Sequence, residues 1–175
     1  MNRRRSAIEK KLYFAYGSNM NLEQMEFRCP GAQVVETVRL EGYRLAFCGR
    51  SSNGVATILP DPESHVDGVL WRISEQDEKN LDYYEGWPRL YGKEPLRVTR
   101  TNGRSVEAMA YTMNAPYRDN PACPSQGYLL GILEGCLQNH IDNAPVLDAV
   151  QRTRQEAEQA KAQERPKKKN QEKGR

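Results

Sequence analysis

The chain has 175 residues, 38% of them apolar and 28% charged, the length of one domain with tails and enough to bury a real core. Its net charge of +3 is unevenly placed: residues 1–11 hold five Arg/Lys against one Glu and residues 152–175 nine against four, which leaves the body from 12 to 151 at −6. An acidic body argues against a nucleic-acid-binding domain, which needs its positive patch on the folded face; the charged N-terminal run lacks the apolar stretch of a secretory signal, and no apolar run approaches membrane-spanning length.

The first strong pattern is YFAYGSNM at 13–20. Its apolar, aromatic part predicts a buried strand, and Gly17-Ser18-Asn19 a tight turn into a helix. Such a turn presents backbone N–H groups beside a helix start, a receptor for a carboxylate or a developing oxyanion. The same residues also fit a plain helix cap. Residues 21–29 predict a short helix with Leu22, Met25 and Cys29 on one face, ended by Pro30-Gly31. Four strands follow, at 34–38, 42–47, 54–59 (GVATIL) and 66–73, with Pro60-Asp61-Pro62 closing the third. Gly42, Gly54 and Gly68 fit bulges and tight bends.

Ser74 is the expected cap of the next helix, with acids in its first turn. Gly86 is its expected C′ residue and Pro88 forbids continuation, which leaves Glu85 at the last helical position. A hairpin is predicted around Asn102-Gly103, joining strands at 91–101 and 105–113. The proline-rich segment 114–124 reads as a loop. Ser125 then caps a second main helix with Tyr128, Leu129, Ile132, Leu133, Cys136 and Leu137 on its apolar face. Gly127, Gly131 and Gly135 recur every four residues there and imply close approach of the helix to the sheet. A last helix starts near Pro145, with Asn143 as a cap; from Gln151 on it is solvated and grades into a disordered tail containing Lys167, Lys168 and Lys169. This predicts a basic N-terminus over 1–10, one α+β domain over 11–143 built on a curled sheet or small barrel, and a solvated helix and tail over 144–175.

Little catalytic equipment is offered. His65 and His140 are the only histidines, too few for a metal site. Ser18 is outside a G-x-S-x-G elbow, no phosphate-binding glycine loop is present, and Cys29, Cys48, Cys123 and Cys136 form no C-x-x-C pair. The cysteines read as buried thiols of a reduced, cytoplasmic protein. Carboxylates remain, and Glu85 is the candidate. A helix C-terminus carries partial negative charge, and the aromatic neighbours Tyr83, Tyr84 and Trp87 suggest desolvation. Both raise a carboxyl pKa toward the range where it can take and return a proton at neutral pH. A solvated Glu at a helix end is the plainer alternative.

YFAYGSNM, GVATI, GVLW and LDYYEG, in this order and spacing, together resemble the γ-glutamylcyclotransferase (AIG2-like) family over roughly residues 11–140. The compact bacterial members are the nearer likeness, given the short link 86–91 and the charged tail. The resemblance implies a small mixed-sheet β-barrel flanked by helices. It implies cleavage of a γ-glutamyl amide by cyclisation to 5-oxoproline, with Glu85 as acid/base. Tyr13, Phe14, Ala15, Tyr16, Gly17, Ser18 and Asn19 match the family's glutamyl-holding loop, and Tyr91 and Tyr128 its pocket tyrosines. In that reaction the substrate supplies its own nucleophile, the α-amine, so no Ser, Cys or His nucleophile is needed, and no metal or cofactor. The partner implied is a small-molecule γ-glutamyl substrate, with no membrane and no nucleic acid, and the protein a monomer or homodimer. Loops 49–54, 87–93 and 114–124 are expected at the pocket mouth. Two other classes fit parts of the sequence: a non-catalytic module binding a small carboxylate while its basic tail docks to an acidic partner, and RNA or ribosome association through residues 152–175.

Overall fold

The computed structural model describes residues 9–50 and 53–164. The expectations for the basic run before residue 9 and for Lys167, Lys168 and Lys169 lie outside them. Five strands, β1 (Lys11–Ala15), β2 (Gln33–Cys48), β3 (Val55–Ile73), β4 (Tyr91–Thr99) and β5 (Ser105–Met113), close into a barrel in the order β1-β3-β2-β4-β5. Neighbours are antiparallel except β1 and β5, which pair in parallel at Tyr13 and Met109. Four α-helices surround the barrel among the described residues: α1 (Leu22–Arg28), α2 (Glu75–Glu85), α3 (Gln126–Gln138) and α4 (Ala144–Glu164). The α+β, small mixed-barrel architecture expected above is what the chain adopts.

The four strands predicted between 34 and 73 are two long ones. Tyr43 pairs with Pro60 and Glu41 with His65, so a single residue, Gly42, faces the four residues 61–64. The Pro-Asp-Pro signal therefore marks a bulge inside β3 and not its end. Proline has no N–H to give a ladder and settles at such bulges. The Asp61 carboxylate accepts from Glu63 N and Ser64 Oγ there, and Gly42 takes the φ of +80° that an L side chain resists.

Gly54 and Gly68 serve close packing and not bends. A Cβ on Gly68 would lie 2.4 Å from the Ala15 carbonyl oxygen and 2.5 Å from the Phe14 ring. The glycines of α3 also have a different neighbour from the one expected. A Cβ on Gly135 would meet Asn21 N at 2.8 Å, and one on Gly131 the Gln24 side chain at 2.6 Å. Helix α3 thus lies against the segment after β1 rather than against the sheet, and Gly127 faces open space. Leu137, placed on the apolar face by periodicity, is 78% exposed, while Ile132 and Cys136 are buried.

Ser74 makes a full capping box with Asp77, Gly86 ends α2 in the left-handed conformation, and Ser125 caps α3 by accepting from Tyr128 N. At the start of α4 it is Asp142, not Asn143, whose side chain accepts from Ala144 N. Val146, Ala149, Val150 and Thr153 are its buried residues. Cys29, Cys48 and Cys136 are buried free thiols and Cys123 is half-buried. No helix among the described residues is long and apolar enough to cross a membrane.

Candidate active site

The ends of the elements converge on one cavity of about 160 Å³. That is below the roughly 300–1,000 Å³ of sites for drug-sized ligands and suits one amino-acid-sized group. Strand β1 supplies Tyr13, and the turn after it supplies Tyr16, Gly17, Ser18 and Asn19. Helices α1 and α2 each give their last residue, Arg28 and Glu85. Val55 and Ala56 open β3, Tyr91 opens β4, Tyr111 sits in β5 and Tyr128 in the first turn of α3. Phe14 and Ala15, matched to the glutamyl-holding loop, are not on this wall. Phe14 is fully buried against Gly68 on the face of β1 opposite Tyr13, and Ala15, on Tyr13's face, is buried at the strand's end without reaching the cavity.

Asn19 is the hub. Its Nδ2 donates to Glu85 Oε1 at 2.9 Å and to the Tyr13 hydroxyl at 3.0 Å, and its Oδ1 accepts from Arg28 Nη1 at 2.6 Å. Arg28 has no acceptor, so the Arg28 contact fixes which end of the amide is oxygen and aims the nitrogen at Glu85. The Asn19 carbonyl accepts from Trp71 Nε1 at 3.0 Å, which ties the hub to the barrel wall. Arg28 Nη1 also donates to Ser18 Oγ at 3.2 Å, and its guanidinium stacks 4.9 Å from the Tyr84 ring centroid.

The phenols are pinned in the same way. Tyr16 donates to the Tyr111 carbonyl and Tyr91 to the Ala56 carbonyl, while Tyr128 accepts from Ala56 N at 3.0 Å. Tyr111 donates to Asp82 Oδ1 at 2.6 Å, and Lys93 pairs with that carboxylate at 2.7 Å. Burial pushes five of the six tyrosines that line the cavity, Tyr13, Tyr16, Tyr91, Tyr111 and Tyr128, above the ordinary phenol range. They remain neutral donors and walls at physiological pH.

Burial also raises the Glu85 carboxyl from the ordinary 4.5 to about 7, the Arg28 charge and the Asn19 hydrogen bond pulling in the opposite direction. The groups around Glu85 are only in part those expected. Tyr83 is 84% exposed and Trp87, in the link after α2, 43%, and neither lines the cavity. Tyr84, the third expected neighbour, does line the cavity with Glu85, and the rest of the wall comes from tyrosines of other elements. Arg28 and Tyr111 carry no motif of their own. Arg28 follows at helical spacing from the turn, and its place beside Asn19 is a signal only once α1 is folded back on it.

A carboxyl with a raised folded pKa binds more protons folded than unfolded between about 4.5 and 7. Its contribution is fully present below the lower value and is lost as pH rises through the upper one. The variant Glu85→Gln, which has no charge to bury, should therefore match the wild type in thermal stability near pH 4.5. It should exceed the wild type by about 2–3 kcal/mol at pH 8. Calorimetric unfolding at both pH values checks this; an equal offset at both would contradict a desolvated carboxyl.

Residues 13–130 match the family model described as gamma-glutamyl cyclotransferase, AIG2-like. The chain is 32% identical over 139 residues to the gamma-glutamylcyclotransferases of Bos taurus and Homo sapiens, overlaps covering 75% of this chain and 72% of each relative. A solved gamma-glutamyl cyclotransferase structure superposes with a TM-score of 0.70 at 28% identity, covering 83% of this chain and 87% of that one.

Proposed function

The chain belongs to the gamma-glutamyl cyclotransferase, AIG2-like family, and on that premise we propose how its own residues release 5-oxoproline from a γ-glutamyl amide. It is an enzyme acting on small γ-glutamyl substrates. The observation that carries the residue assignment is the Glu85 carboxyl held by Asn19 Nδ2 inside a tyrosine-walled cavity.

The α-nitrogen attacks the γ-carbonyl carbon with its lone pair, and a five-membered ring forms. Once bonded, that nitrogen sheds a proton, which the Glu85 carboxylate takes; Glu85 then returns it to the amide nitrogen, and the C–N bond breaks with its electron pair leaving on that nitrogen. One proton moves through one carboxyl, and the reading assigns no metal or cofactor a part. The first N–H groups of a helical turn have no partner within it, so Ser18 and Asn19 offer donors to the carbonyl oxygen as it gains charge. The small cavity and its pinned phenols hold the glutamyl chain curled, so that nitrogen and carbonyl meet. We place the enzyme in the cytoplasm, acting without nucleic acid, as a monomer or homodimer.

The direct test is incubation of the purified protein with γ-glutamyl dipeptides and assay of 5-oxoproline; absence of product would refute the reading. The pH profile is a second check. Proton acceptance needs the ionised carboxyl, half populated at about pH 7. Thus kcat/KM should fall about tenfold per pH unit below 7. A profile flat from pH 5 to 7 would remove Glu85 from the proton path.

A further inference from the structure

A second cleft, of about 260 Å³, shares one wall residue, Tyr16, with the catalytic cavity and no other. It opens between the bulge of β3 and the start of α4. Its floor is apolar, with Leu45, Val66 and Val146 buried there. Its rim carries both signs of charge. Arg44 comes from β2 and Arg152 from α4, and both charges reach the bulge: behind the stronger bonds from Ser64 Oγ and Glu63 N, they help hold the Asp61 carboxyl below its ordinary pKa. Facing them are Glu63, Asp67, Asp142 and Asp148. Asp67 is already held by Arg39, and Asp142 accepts from Ala144 N. Among the described residues Arg44, Arg152, Glu63 and Asp148 form no ion pair. Asp148 and Arg152 stand four apart on α4, acid first, the spacing and order at which Glu75 and Lys79 of α2 do pair, at 3.2 Å.

Separated charges of opposite sign over an apolar floor fit a ligand that carries one cation, one anion and an apolar body. The volume, just under the roughly 300 Å³ at which sites for drug-sized ligands begin, holds one amino acid and not a longer peptide. We propose that this cleft is a binding site for a free apolar α-amino acid, separate from the catalytic cavity. The carboxylate of the amino acid takes the guanidinium forks of Arg44 and Arg152, its ammonium takes the Asp148 carboxylate, and its side chain covers Leu45, Val66 and Val146. The site goes beyond the cyclotransferase reading and does not rest on it.

The test titrates L-leucine into the full chain, followed by ligand-observed NMR. Leucine should bind with a Kd on the order of 1 mM, which is what a ligand of so few atoms reaches at a rim open to water. Leucinamide, which lacks the carboxylate, and 4-methylpentanoate, which lacks the ammonium, should each bind at least about tenfold more weakly, the worth of one charge-assisted hydrogen bond. Leucine should weaken by as much in the Arg44→Gln/Asp148→Asn double variant, whose substitutions lie outside both the catalytic cavity and the buried core. Saturating 5-oxoproline should not displace it, because the two clefts share only Tyr16. Displacement by 5-oxoproline would put leucine in the catalytic cavity and overturn the assignment. Undiminished binding by the double variant, equal binding of the three ligands, or no binding of leucine at about twentyfold above that Kd would overturn it as well. The double variant decides whether or not the cavity takes 5-oxoproline, so this site stands or falls apart from the cyclotransferase reading.

Discussion

Glu85→Gln should lower kcat for γ-glutamyl dipeptides by about 10²–10⁴-fold, the usual worth of a positioned acid/base. The variant is close to isosteric. Its side-chain oxygen can still accept from Asn19 Nδ2, so the cavity keeps its shape and KM should change little. What it loses is the capacity to take a proton from the attacking nitrogen. Glu85→Asp tests position separately from charge: it keeps a carboxylate but withdraws it from Asn19 by one methylene. A misplacement on the order of 1 Å can cost about a hundredfold. The two variants should thus both be slow for different reasons, the Asp form retaining a pH dependence and the Gln form having none. Wild-type turnover in Glu85→Gln, with the fold verified by circular dichroism, would eliminate the assigned role.

Gly54→Ala should be the most damaging single methyl addition. Its Cβ would stand 1.7 Å from the Ala122 carbonyl oxygen and 2.5 Å from that carbonyl carbon, backbone atoms with no rotamer by which to escape. The segment they belong to is fixed on both sides. Ala122 N donates to the Phe47 carbonyl and Gly54 N to the Cys123 carbonyl, and Cys48 bridges Pro121. Relief requires breaking these bonds, at about 3 kcal/mol or more. For a chain of this length that is a fall in Tm on the order of 10 °C. The segment leads directly into the cap of α3 and so sets the position of Tyr128 against Ala56, and activity should fall with it. A Tm within about 2 °C of the wild type would mean that the contact yields freely.

Much of this was legible in the residues. The Ser74 cap and the Gly86 stop both depend on local chemistry, a side-chain oxygen in reach of a free N–H and a residue that tolerates positive φ. Together they place Glu85 at the last turn of α2, as read. The long strands were less legible. Pro60 and Pro62 resemble a terminus as strongly as they resemble a bulge, and only the partner strand, with Gly42 opposite, decides between the two. The glycine repeat of α3 signalled close approach without naming what approaches, which proved to be the turn after β1 and the start of α1.

The sequence by itself determined the family, the α+β small-barrel class and the place of Glu85 at the end of its helix, because each follows from motifs, periodicity and capping groups that act within a few residues of one another. Only the tertiary structure decided what surrounds that carboxylate. Tyr83 and Trp87, its neighbours along the chain, point outward, and Asn19, Arg28 and Tyr111 come to it from other elements. A pKa of about 7 arises from burial in a cavity whose walls come mostly from other elements. Desolvation depends on which surfaces meet, and that is settled by the closure of the barrel rather than by any local stretch.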